Sequence, residues 1–295
     1  MGPEQNVADT LHGFGVENWS QLWNPAYCRP KRSVKYKMRI DLNSDLGESF
    51  GPWPMGQDDA LMDSISSANV ACGFHAGDPA TMRRTVELAR KKGVAIGAHP
   101  GFPDLVGFGR RELNASAAEV EDLVLYQVAA LAGIAAAQGV RLQHVKPHGA
   151  LYNMACKSRS LADAIAKAVA ALDRSLILFG LPNSELLRAG EAAGLPVAAE
   201  VFADRAYDPD GTLTARAKPG SVIHDTPLVV ARAVRMVKDG EVIAIDGSIV
   251  HLKADTICLH GDTPGAAEHA RAVRRGLEAA GISVQSLTPT LKADR

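Results

Sequence analysis

The chain has 295 residues, 46% of them hydrophobic, so it can bury a large core without disulfide or metal staples. Its 32 basic and 33 acidic residues leave a formal net charge of −1, and only 5% of residues are aromatic; a nucleic-acid partner is therefore not expected. No apolar run approaches a membrane span, no secretory signal pattern opens the chain, and Cys28, Cys72, Cys156 and Cys258 form no CxxC pair, so a cytoplasmic protein with reduced thiols and no membrane contact is expected.

Residues 1–37 carry Trp19, Trp23, Tyr27 and a basic stretch from Lys31 to Lys37, with no strand or helix period. Met38 then opens a clean strand. We read 1–37 as a disordered or non-native extension, with Met38 as the natural start and 38–295 as one barrel domain. A docking arm is the rival reading of 1–37.

From Met38 on, short apolar runs alternate with longer amphipathic ones. The first strand is predicted at 39–43, followed by a helix at 59–66. Then come strand 69–73 and helix 79–92, strand 94–98 and helix 116–138, strand 143–146 and helix 160–172. Strand 176–179 with helix 184–193, strand 197–201 with helix 227–238, and strand 256–260 with helix 264–280 complete the series. Nearly continuous apolar strands fit a parallel sheet buried on both faces. Start signals are Asp78-Pro79, Asp225-Thr226-Pro227, Asp262-Thr263-Pro264 and a capping box from Ser116 to Glu119. Stops fall at Gly93, Gly139, Gly194, Gly240 and Gly281. The stretch 209–219 reads as a polar loop, and Asp246-Gly247 inside 240–250 as a hairpin turn. Seven strand–helix units give an α/β fold, a distorted seven-stranded (β/α) barrel, with an open doubly wound sheet as the alternative.

Active sites of such barrels form at the C-terminal strand ends. Those ends hold Asp45 and Glu48, then His75, His99, Lys146 with His148, Glu200 with Asp204 and Arg205, and finally His260. Taken singly, each has a bland explanation. Asp78 and Asp262 read as helix caps, Gly47, Gly73, Gly101 and Gly149 as turn formers, and one histidine as scaffold. His12, His224, His251 and His269 read as surface or loop residues. Taken together, four histidines, a lysine and several carboxylates at equivalent points of six units predict a reaction centre. Two chemistries fit. One is metal-assisted hydrolysis with Asp45, His75 and His99 holding a divalent ion. The other is metal-free acid–base catalysis with Lys146 stabilising negative charge. There is no GxxxxGK[ST], no GxGxxG between strand and helix, and no GxSxG.

The string Ile40 to Glu48 resembles the opening of the LamB/YcsF family, also described as the PxpA component of 5-oxoprolinase. The resemblance continues through Asn69–Pro79, Ala98–Phe102, Val145–Tyr152, Glu200–Tyr207 and Cys258–Pro264, and covers about Met38 to Val284. It implies a barrel of the glycoside hydrolase/deacetylase type. It also implies a reaction in which 5-oxo-L-proline, ATP as co-substrate and water give L-glutamate, ADP and phosphate, performed with two partner subunits, PxpB and PxpC. The site candidates are Asp45, Glu48, Lys146, His148, Glu200, Asp204, Arg205 and His260 for catalysis, and Asp45, His75 and His99 for a divalent metal. A stand-alone metal-dependent deacetylase or amidohydrolase and a non-catalytic lactam-binding subunit are the alternatives.

Overall fold

The computed structural model describes residues 38–259 and 265–287. The expected extension 1–37, His260 and the helix start at 262–264 lie outside the described residues.

Ten strands and eight helices follow in chain order among the described residues. They are β1 (Met38–Leu46), α1 (Asp58–Met62), β2 (Ser67–Ala71), α2 (Pro79–Lys92), β3 (Ala95–His99), α3 (Ala117–Ala136), β4 (His144–Val145), α4 (Gly149–Lys157) and α5 (Arg159–Leu172). Then come β5 (Ile177–Gly180), α6 (Glu185–Ala192), β6 (Val197–Phe202), α7 (Thr226–Lys238), β7 (Glu241–Ile243), β8 (Ile249–His251), β9 (Thr256–Leu259), α8 (Ala266–Ala279) and β10 (Ile282–Val284). Strands β1 to β6 and β9 pair in parallel, and β9 pairs back onto β1, so the sheet closes as a seven-stranded barrel. Strand β10 adds in parallel to the first residues of β1, ahead of the segment that β9 occupies. The closed ring settles the choice against an open sheet.

Local chemistry explains the boundaries. Asp78 caps α2 by accepting from the amides of Ala80 and Thr81, and Asp225 caps α7 through Leu228. Ser116 and Glu119 form the reciprocal capping box of α3. The five glycines read as stops all take positive φ. The hairpin forms as β7–β8, paired antiparallel. Helix α4 and strand β10 are not anticipated by the sequence reading. α4 begins at Gly149, its N-cap His148 makes no side-chain cap bond, and the stretch around them reads as a strand-end loop. β10 is only three residues long. The first predicted helix ends early, at Met62, and its last predicted residue, Ser66, turns its hydroxyl to Asp41 instead.

The barrel has two differently composed faces. Alternate strand residues such as Leu42, Val70, Ile96, Val145, Leu178, Val201 and Ile257 belong to one apolar core that also takes in Val86, Val124, Leu131, Ile165 and Val273 of the helices. The intervening residues hydrogen-bond to one another across the interior: Asp41, Asn43 and Asp45 of β1, Ser67 and Asn69 of β2, His144 of β4, Glu200 of β6 and Thr256 of β9. Such interiors are usually filled by branched apolar side chains. Here Ile177, Phe179 and Ala198 make only a small separate apolar cluster.

Candidate active site

The site rests on this polar interior. Asp41, fully enclosed, accepts from Ser66 and Ser67 at 2.7 Å each and from Thr256 at 2.6 Å. Burial raises its carboxyl above the ordinary 3.8, against the pull of those hydroxyls. One layer up, the Asn43 amide donates to Glu200 at 3.0 Å and to Thr256 at 2.7 Å. Asn69 donates to Asn43 at 2.7 Å and to Asp45 Oδ1 at 2.8 Å, and its own oxygen accepts from His144 Nε2 at 2.7 Å. The His144 ring stacks on Phe179 with centroids 4.2 Å apart. It fits only because Gly97 beside it has no side chain: a Cβ there would overlap the ring.

Lys146 crowns the stack, just past β4. Its ammonium donates to Asp45 Oδ1 at 2.7 Å and to Cys258 Sγ at 2.9 Å, and lies 3.2 Å from Glu200 Oε1. Burial alone would drive its pKa down. The surrounding Asp45, Cys258 and Glu200 pull harder, and the result lies well above 10.5. The ammonium is thus a fixed, buried charge.

A second group sits beside it. Glu48 follows β1, His75 follows β2, His99 ends β3, and His148 precedes α4. His75 and His148 stack face to face with centroids 3.8 Å apart, and His99 meets both rings edge-on. The loop from β3 to α3 closes over them. Asp104 ties it by accepting from the amide of Gly107 and from Arg111. Phe108, a non-glycine residue at φ 54°, aims its carbonyl at His148. Next to it Gly109, at φ 63°, leaves the space that the two stacked imidazoles occupy. Glu48, His75, His99 and His148 present ligand atoms within 4.8 Å of one another, a group that could hold a metal ion.

A cavity of about 300 Å³ opens onto this centre; its lining includes Asp45, His99, Lys146 and His148 together with Arg110, Arg205 and Arg216. Of the expected residues, Asp45, Glu48, His75, His99, Lys146, His148 and Glu200 converge. Glu200 is completely buried beneath Lys146. Arg205 reaches the cavity wall, but its Nε donates to the Ser221 carbonyl and one Nη to that of Thr214, bracing the loop after β6. Burial first, and then the nearby Arg216, bring its guanidinium down to about 10. Asp204 lines a separate small recess with His224 and His269. His260 lies outside the described residues. The sequence reading passed over Asn43, Asn69, His144, Thr256 and Arg110. Polar residues at every second position of otherwise apolar strands were the available signal for the first four.

The geometry defines the class: a closed seven-stranded (β/α) barrel with a lysine–carboxylate pair and a histidine cluster at the C-terminal ends of its strands. Residues 40–292 match the LamB/YcsF family, and the chain belongs to that family. Among its relatives, the A subunit of 5-oxoprolinase from Rhodopseudomonas palustris (strain BisB18) is 58% identical over 246 residues, spanning 83% of this chain and 96% of that protein. Its counterpart of the same name from Bacillus subtilis (strain 168) is 54% identical over 250 residues, 85% of this chain and 97% of that one. The crystal structure of a lactam utilization protein from Thermus thermophilus superposes with a TM-score of 0.81 at 50% identity, covering 85% of this chain and 100% of that one. Among the described residues, no helix is long and apolar enough to cross a membrane.

Proposed function

We propose that this chain is the barrel subunit of an ATP-dependent 5-oxoprolinase. With PxpB-like and PxpC-like partner subunits, it opens 5-oxo-L-proline to L-glutamate while ATP becomes ADP and phosphate. The names carried by its relatives support the reading, and so does the cavity, whose volume is at the low end for small-molecule sites. The observation that carries it is the buried Lys146 ammonium fixed between Asp45 and Glu200 at the cavity's inner end.

A five-membered lactam is a resonance-stabilised amide that water attacks poorly. Transfer of the ATP γ-phosphoryl group to the amide oxygen turns that oxygen into a leaving group. Water then adds to the ring carbon, the C–N bond breaks as the nitrogen takes up a proton, and the acyl phosphate so formed is hydrolysed by a second water to the carboxylate and phosphate. Negative charge develops at the carbonyl position, where a preorganised ammonium stabilises it. Asp45, on the cavity wall, accepts the proton of the attacking water; Glu200, sealed beneath, balances Lys146. The arginines at the cavity suit the substrate's carboxylate. The lack of a P-loop motif fits ATP binding shared with the partner subunits. A cytoplasmic location belongs to this reading.

Reconstitution tests it. The chain, its two partners, ATP and 5-oxoproline should yield glutamate, and Lys146→Met should abolish the yield. Equal glutamate from the partners alone would overturn the assignment. A stand-alone metal-dependent amidohydrolase is the second reading, favoured by the histidine cluster. It predicts turnover of N-acyl substrates by the isolated chain without ATP.

A further inference from the structure

The histidine cluster has a bonding problem that its tautomers make explicit. His99 Nδ1 lies 2.7 Å from the Lys146 carbonyl oxygen, and His148 Nε2 lies 2.8 Å from that of Phe108. A carbonyl oxygen only accepts, so both of these nitrogens carry a proton. In a neutral ring the remaining lone pair is then on His99 Nε2 and on His148 Nδ1. Those two atoms face each other at 2.9 Å. Asp45 Oδ2, a third acceptor, stands 3.3 Å from the same His99 nitrogen. Acceptors this close repel unless something positive is shared among them.

His75 has the complementary defect. It is buried, with 1% of its surface exposed, and neither ring nitrogen has a hydrogen-bond partner among the described residues. Its Nε2 lies 4.0 Å from Glu48 Oε1, and its ring lies flat against His148. An imidazole stripped of water and left without partners is unfavourable unless a ligand completes it.

We propose that Glu48, His75, His99 and His148 bind one divalent transition-metal ion of the zinc class, with Asp45 at the edge of the site. Three imidazoles and a carboxylate are a donor set suited to such an ion. The N–H groups of His99 and His148 anchored on main-chain carbonyls are the outer bonds that orient metal-bound histidines. The expected set Asp45, His75 and His99 is thereby enlarged by Glu48 and His148. His99 and His148 border the cavity, so an ion held there would supply Lewis acidity toward an oxygen in it.

The test uses the full chain freed of metal by chelation and titrated with Zn²⁺ or Co²⁺ alone. One equivalent should bind, raise the thermal midpoint and, for Co²⁺, produce the visible absorption of a nitrogen-ligated ion. His75→Ala and His148→Ala should each weaken binding on the order of 100-fold or more. Lys146→Met, which removes no ligand, should keep the stoichiometry of one. A folded wild-type chain that binds no equivalent overturns the proposal and leaves a shared proton as the link between His99 and His148. Stoichiometric binding that survives when His75→Ala and His148→Ala are combined in one chain overturns it too. Should a variant fail to fold, the wild-type titration decides alone. Binding is read without glutamate formation, so this inference and the 5-oxoprolinase reading fail separately.

Discussion

His144 should make the fold sensitive to acid, and by an amount that the structure sets. The ring is completely enclosed, stacked on Phe179, and donates from Nε2 to Asn69. Burial first, then the nearby Lys146 and His99, bring its pKa from 6.5 down to about 3, with Asp45 opposing. A depressed folded-state value means that the unfolded chain binds the proton more readily. The stability tied to a neutral His144 is therefore complete above 6.5 and is lost as the pH falls toward 3. At about 1.4 kcal/mol per pH unit, the loss reaches roughly 3 kcal/mol by pH 4. His144→Gln keeps a donor for Asn69 and cannot be protonated. Urea unfolding of both proteins from pH 7 to pH 4 isolates the effect, because His75 and His148 titrate alike in each. The wild type should lose roughly 3 kcal/mol more than the variant over that interval. Parallel stability curves for the two would refute the reasoning.

Two further substitutions probe the site's supports. Lys146→Met leaves Asp45 and Glu200 as buried carboxylates without their ammonium, and should cost about 3–5 kcal/mol at neutral pH; adding Glu200→Gln should restore part of it, and chemical denaturation of single and double variants measures both. Gly109→Ala would place a Cβ 2.7 Å from that of His75 and 2.8 Å from His148 Cδ2, at φ 63°, so the fold should lose about 2–4 kcal/mol, read as a lowered thermal midpoint.

Local signals made much of the scaffold legible. Helix α2 is legible to the residue because Asp78, Pro79 and Gly93 punctuate it, and the capping box places α3. Strand β4 is harder. Only His144 and Val145 carry strand pairing, although the Lys146 amide still donates to the Ala98 carbonyl at 2.9 Å. The rim residues were legible as a set, because strand ends are where a barrel concentrates polar groups. Their partnerships were not. The stack of His75 on His148 joins residues 73 positions apart and depends on Gly109, whose role appears only when the loop after β3 is folded. The hydrogen-bonded interior was written in the period-two polarity of β1 and β2. An expectation of nearly continuous apolar strands concealed it.

Lys146 reaches the reaction centre by two routes at once. Its ammonium grips Asp45, while its main-chain oxygen fixes the tautomer of His99. The two halves of the centre therefore cannot be adjusted independently: a small slide of the chain at that point retunes the acid–base pair and the imidazole array together. Any molecule that presses on α4, immediately downstream, has one lever on both.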